Sequence, residues 1–145
     1  MIPQPGRIVG VDLGSRRIGI ALSDPSRTIA SPHTVVQRSK TLDLDYRAIL
    51  DIAVEWEATL IVVGLPLSLN GKDGPAAKAA RTEVGALQTL AGAELLVVLH
   101  DERLTTISAE RSLREAGVRG RDQTAVVDKV AAAVMLQSFL DGQPR

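Results

Sequence analysis

The sequence has no cysteine, which excludes disulfides, a thiol nucleophile and any cysteine-based zinc site. Aromatic residues are nearly absent, with Tyr46, Trp56 and Phe139 standing alone. A single-strand binder that stacks bases on aromatic platforms is therefore disfavoured. Long apolar runs are missing too. Residues 59–65 and 95–99 fall far short of the roughly 20 residues a membrane span needs. The start, Met-Ile-Pro-Gln-Pro-Gly-Arg, lacks the basic and apolar parts of a signal peptide, so a cytoplasmic protein with no membrane partner is expected. No G-x-x-x-x-G-K-[ST], G-x-G-x-x-G or G-x-S-x-G occurs, which leaves P-loop, Rossmann and serine-hydrolase readings without support. His33 and His100 lack zincin spacing and read as structural or surface residues.

What is present is the composition of a globular protein. An apolar fraction of 45% and a charged fraction of 23% over 145 residues suit one domain spanning 1–145. The 17 basic and 17 acidic residues cancel in the total, but not locally. Residues 42–58 are acidic through Asp43, Asp45, Asp51, Glu55 and Glu57, against Arg47. Residues 103–121 are basic through Arg103, Arg111, Arg114, Arg119 and Arg121, against Glu110 and Glu115. These stretches are either solvated helix faces or, for the basic one, a side that meets phosphate. Arginine outnumbers lysine 13 to 4, and its planar fork suits bidentate phosphate contacts.

Residues 7–13 and 17–23 read as two strands. The three residues between them are too few for a crossover, so they form an antiparallel hairpin. Residues 28–36 read as a third strand, which Pro32 pushes toward an edge or a bulge. Helical spacing marks 41–57, and a doubly buried strand follows at 59–64. After a loop at 66–74, Pro75 opens a helix running to about 90. A strand at 94–99, a helix at 106–116 capped by Gly117, a loop GVRGRDQ and a last helix at 124–140 complete the order βββαβαβαα. That order predicts a five-stranded mixed sheet with helices on both faces.

Three groups of acids carry the chemical interest. Asp12 ends an apolar strand on the face of Gly10, and a carboxylate there is costly unless something positive or hydrogen-bonding meets it. It is either a site residue or an Asx-turn closing on Gly14 and Ser15. Asp101 and Glu102 follow the last strand, as a site pair or a solvated loop. Asp128 sits in an apolar helix on the face of Ala131, Ala132 and Met135, as a site residue or the partner of Lys129 or an arginine. Were these acids to converge, such an oxygen-only set would suit Mg²⁺ or Mn²⁺ rather than zinc.

The blocks IVGVDLGSRRIGIALSD, VVGLPLSLNGKDGP, DERLTT and VVDKVAAAVMLQSFLD, in this order, resemble the YqgF family, also called RuvX, and cover nearly the whole chain. The resemblance implies a ribonuclease H-like fold related to the RuvC resolvases. It also implies a nuclease that matures the 5′ end of the small-subunit ribosomal RNA precursor. By the family pattern the catalytic, metal-holding acids match Asp12, Glu102 and Asp128, with Asp101 as the alternative to Glu102. RuvC resolvases carry a glutamate after the fourth strand, where this chain reads Gly64-Leu65-Pro66. The expected enzyme is a hydrolase using Mg²⁺ or Mn²⁺ in a two-metal mechanism. Its expected partner is structured RNA rather than branched DNA, in a pre-ribosomal particle. Arg16, Arg17, Arg103, Arg119 and Arg121 would hold flanking phosphates, as would the helix start at Pro75.

Rival readings are a Holliday junction resolvase and a non-catalytic RNA-binding assembly factor. Asp12-Leu13-Gly14-Ser15 also resembles the first phosphate motif of actin-like and sugar-kinase-like ATPases, but those close two such domains around ATP. Resolving a two-fold junction favours a homodimer, whereas trimming an RNA end does not require more than a monomer.

Overall fold

A computed structural model describes residues 5–65, 74–101 and 120–143. The β-branched run Arg7–Leu13 forms β1, and Arg17–Ser23 forms β2. They pair antiparallel with Asp12 opposite Gly19 and Leu13 opposite Ile18. Strand β3, Ala30–Gln37, lies antiparallel beside β2 at the sheet edge. Its register shifts where Ala21 faces Pro32 and Ile20 faces Thr34, so Pro32 sits in both an edge strand and a bulge. The strand starts two residues later than its composition suggests, because Thr28 and Ile29 donate their amides to the Asp24 carboxylate instead of a ladder.

Helix α1 spans Leu42–Glu55 and is followed by β4, Ala58–Leu65. Helix α2 runs Pro75–Ala91 and leads to β5, Leu96–Asp101. β4 runs parallel to both β1 and β5, which gives the mixed order β3-β2-β1-β4-β5. The last helix, α3, spans Gly120–Asp141. It begins earlier than expected, taking in four residues of the GVRGRDQ segment. No proline interrupts that stretch, arginine and glutamine are good helix formers, and Asp122 falls in the first turn, where a negative charge suits the helix dipole. The expected helix at 106–116 lies outside the described residues, as does most of the loop at 66–74.

Strand alternation divides the core between two sheet faces. Val9, Val11, Ile18, Ile20, Ile61 and Val63 pack under α1 and α2 with Tyr46, Ile49, Ala53 and Leu87. On the other face Ile8, Ala21 and Val62 meet Ala132, Ala133, Met135, Leu136 and Leu140 of α3. Two glycines bring α3 close to the sheet. A Cβ on Gly10 would stand 2.9 Å from Leu136 Cβ, and one on Gly19 would stand 2.0 Å from the carbonyl oxygen of Asp128. The aromatics are used in packing. Tyr46 is buried, the Phe139 ring meets His100 edge-on, and Trp56 meets His33 edge-on beneath the Arg7 guanidinium. Among the described residues no helix is long and apolar enough to cross a membrane.

Candidate active site

The parallel strands β1, β4 and β5 end along one edge of the sheet, at Leu13, Leu65 and Asp101. Asp12 lies there, half-buried. Since Ile8 and Gly10 face α3, alternation puts the Asp12 side chain on that face too. Its cross-strand neighbour is Gly19, which has no side chain and is roofed by the main chain of Asp128. The fold therefore brings Asp12 and Asp128, 116 positions apart in the sequence, to one corner of the molecule. The Gly14 amide bonds the main-chain carbonyl of Asp12 at 3.1 Å.

Asp128 is held by Arg17, whose Nε donates to Oδ2 at 2.8 Å. The arginine partner foreseen as one alternative for Asp128 is thus present, and it comes from the hairpin rather than from the helix. Gly14, Ser15, Arg16, Arg17 and Asp128 line a cleft of about 410 Å³. This space is open to solvent and, among the described residues, carries two guanidinium groups.

At β5 the pairing runs further than residues 94–99 imply, with Gly64 opposite His100 and Leu65 opposite Asp101. Face assignment by alternation consequently holds to the strand's end. Leu99 packs toward α2 with Leu65, Ala77 and Ala80, so Asp101 points to the α2 face, away from Asp12 and Asp128. His100 points to α3, where its Nε2 lies 3.1 Å from Ser138 Oγ. Burial lowers its pKa, with the Asp101 charge acting in the opposite direction.

Glu102, Arg103 and Arg119 lie outside the described residues, and the Arg121 side chain is likewise not described. Among the described residues no three acidic or histidine side chains group as a metal site. The described oxygen donors at the corner are two aspartates, hard ligands of the type Mg²⁺ and Mn²⁺ prefer. They fit such an ion as a partial set.

Arg38 and Glu83 carry no signal in the sequence, where Tyr46 stands out only as one of three aromatic residues. Arg38 makes a two-pronged ion pair with Glu83, NH2 reaching Oε2 at 2.9 Å, and Tyr46 OH donates to Glu83 Oε1 at 2.9 Å. Arg38 Nε also donates to the Gly14 carbonyl at 2.8 Å, and its amide to the Arg16 carbonyl at 3.0 Å. Hydrogen bonding to Glu83 raises the Arg38 pKa. Burial and then the Glu83 hydrogen bond push the Tyr46 phenol up to about 12. No local motif marks these residues, because their partners are 22 to 45 positions away. Asp45, expected on a solvated acidic face, is 2% exposed. Its Oδ1 accepts the Ser39 amide at 2.9 Å, which turns it inward from the rest of the α1 acids.

A family model described as RuvX, Holliday junction resolvase, matches residues 6–142. A protein of Mycobacterium sp. (strain KMS) is 48% identical over 139 residues, covering 96% of this chain and 82% of its own. One from Roseiflexus sp. (strain RS-1) is 41% identical over 143 residues, covering 99% of both chains. Both bear the name "Putative pre-16S rRNA nuclease". Two solved structures share the fold. The yeast mitochondrial Holliday junction resolvase Ydc2 aligns with a TM-score of 0.59 at 11% identity, covering 97% of this chain and 80% of that one. Thermus thermophilus RuvC in complex with a Holliday junction substrate aligns with a TM-score of 0.53 at 14% identity, covering 93% and 94%.

Proposed function

The chain belongs to the RuvX family, and from that premise we propose that it is a nuclease that cleaves phosphodiester bonds of the small-subunit ribosomal RNA precursor at its 5′ end. The observation that carries this reading is the corner where Asp12 and Asp128 share the α3 face beside a cleft lined by Arg16 and Arg17. A carboxylate pair next to a guanidinium pair suits a reaction whose substrate is an anion and whose cofactor is a cation.

Asp12, Glu102 and Asp128 would hold Mg²⁺ or Mn²⁺. The direction of Asp101 toward the α2 face supports Glu102 rather than Asp101 as the third acid. When bound, such ions supply activation of water and stabilisation of the leaving oxygen. The chain's own part is to hold the phosphate. Arg16 and Arg17 would clamp the phosphates that flank the scissile bond, with Arg103, Arg119 and Arg121 extending the track. Arg17 would also orient Asp128 through its charge-assisted bond to Oδ2. The α3 backbone over Gly19 sets the depth of the corner, so substrate enters from the cleft side.

The test is cleavage of a defined precursor RNA. Mg²⁺ or Mn²⁺ should support it, Ca²⁺ should bind without efficient turnover, and excess chelator should abolish it. Asp12→Asn removes one charge at nearly constant volume. It should cost on the order of 100-fold or more in rate, the scale of losing a key electrostatic stabiliser, while leaving the fold intact. Parental rates in chelator or in Asp12→Asn would refute the mechanism. The family description as Holliday junction resolvase favours a second reading, a nuclease of branched DNA. A four-way junction offered beside the RNA precursor separates the two. Binding of the precursor with no metal-dependent cleavage would instead identify an assembly factor.

A further inference from the structure

The turn that carries Arg16 and Arg17 is held from outside the site. Gly14, Ser15 and Arg16 connect β1 to β2, and a Cβ on Gly14 would meet the Arg17 carbonyl oxygen at 2.3 Å. The turn is therefore tight. Two of its carbonyls, those of Gly14 and Arg16, are taken by one residue, Arg38, which lies just past the end of β3. Arg38 is in turn fixed by two bonds to the Glu83 carboxylate from α2, and Tyr46 from α1 fixes that carboxylate by a third. Arg38 and Glu83 side chains are only 15% and 18% exposed, which shields the pair from solvent screening. The Asp45 charge, buried nearby, adds to the field that favours the guanidinium.

We propose that Arg38 is a positioning residue of the candidate site: braced by Glu83 and Tyr46, it fixes the Gly14–Arg16 turn so that Arg16 and Arg17 line the cleft beside Asp128. Three of its donors are divided between two tasks, the forked end going to Glu83 and Nε going to the turn. A lysine, with one ammonium, cannot reach both in the same geometry. The brace ties α1 and α2, on one side of the sheet, and the edge strand β3 to a cleft whose other wall is α3. It thereby makes the phosphate-holding arginines depend on the packing of the opposite layer. The functional part of this inference rests on the nuclease reading. Its structural part does not.

The test is the pair substitution Arg38→Met with Glu83→Gln. Arg38→Met alone strands a shielded carboxylate and is expected to destabilise the protein. The double variant removes both charges and leaves Tyr46 an acceptor, so it should melt close to the parent. In this folded variant the amides of Gly14, Ser15, Arg16 and Arg17 should exchange with solvent about tenfold faster or more. Binding of a structured RNA should weaken about tenfold, and the slope of log K against log salt should become shallower by about one phosphate contact. For cleavage, KM should rise with kcat changed less, the sign of lost ground-state binding. Parental exchange at those four amides in the folded double variant would overturn the inference. So would faster exchange accompanied by a parental salt slope and KM. If the parental chain neither binds nor cleaves RNA, the nuclease reading fails, and amide exchange alone still decides the brace.

Discussion

Gly19 shows how much a single side chain can decide at this corner. Its missing Cβ lets the Asp128 main chain lie against β2 directly opposite Asp12. Gly19→Ala places a methyl 2.0 Å from a carbonyl oxygen, a clash with backbone that no rotamer relieves. Overpacking of this kind should cost at least about 2 kcal/mol, read as a melting-temperature drop of roughly 4–8 °C. Surviving protein should also lose the Arg17–Asp128 contact and with it activity. A variant of parental stability would mean that α3 lies further from β2 than described. At the opposite end of β2, Asp24 offers a pH test. Desolvation pushes its carboxyl up, but four bonds outweigh this and hold it well below the usual carboxylate range. They come from the amides of Thr28 and Ile29 and the hydroxyls of Ser26 and Thr28. A depressed folded pKa contributes stability that is complete above the unfolded value, near 4, and fades as pH falls through the folded one. The destabilisation caused by Asp24→Asn should therefore be full at pH 7 and shrink below about pH 4. A gap that is constant with pH in thermal melts would contradict the bonding network.

At the scale of elements, the sequence is informative where a periodic pattern and a local rule agree. The β1–β2 hairpin, the doubly apolar β4 and the Pro75 start of α2 are legible because each depends on residues a few positions apart. The end of β5 is not. How far a parallel strand continues depends on its neighbour, and β4 carries the pairing to Leu65 and Asp101. The Arg17–Asp128 pair spans 111 positions and the Arg38–Glu83 pair 45, distances over which sequence spacing says nothing. Candidate acids could be picked out because a carboxylate in an apolar strand or helix is conspicuous. Arg38 could not, since an arginine after an edge strand looks like any solvated charge. The extended β5 sharpens one choice. With Asp101 turned toward α2, Glu102→Gln should abolish cleavage with little change in stability, whereas Asp101→Asn should leave a measurable rate. Reversed phenotypes in the same precursor assay would move the site to Asp101.

The whole molecule carries a formal net charge of zero, so attraction to a polyanion must arise from where charges sit. Exposed acids, Asp43, Asp51, Glu55 and Glu57, cluster on or just past α1, which covers the face opposite α3. The cleft with Arg16 and Arg17 opens at the corner shared by the β1–β2 turn and α3. On the proposed reading a polyanion would be repelled from one layer and admitted at the edge of the other, which would orient it without a large overall field. Two kinds of variant separate orientation from contact. Each arginine that neutralises a phosphate contributes about 0.7 to 0.9 to the slope of log K against log salt. If Arg16 holds a phosphate as proposed, Arg16→Ala should lower that slope by about this amount, because Arg16 is exposed at the cleft and its loss would remove a counterion-releasing contact. Asp51→Asn with Glu55→Gln removes two charges from the far layer. It should raise the association rate at low salt and leave the slope unchanged, since no phosphate contact is made or lost. Filter binding of the precursor RNA between about 50 and 200 mM salt resolves the two. Equal slope changes in both variants would mean that RNA also touches α1, and the cleft would then be one part of a wider binding surface.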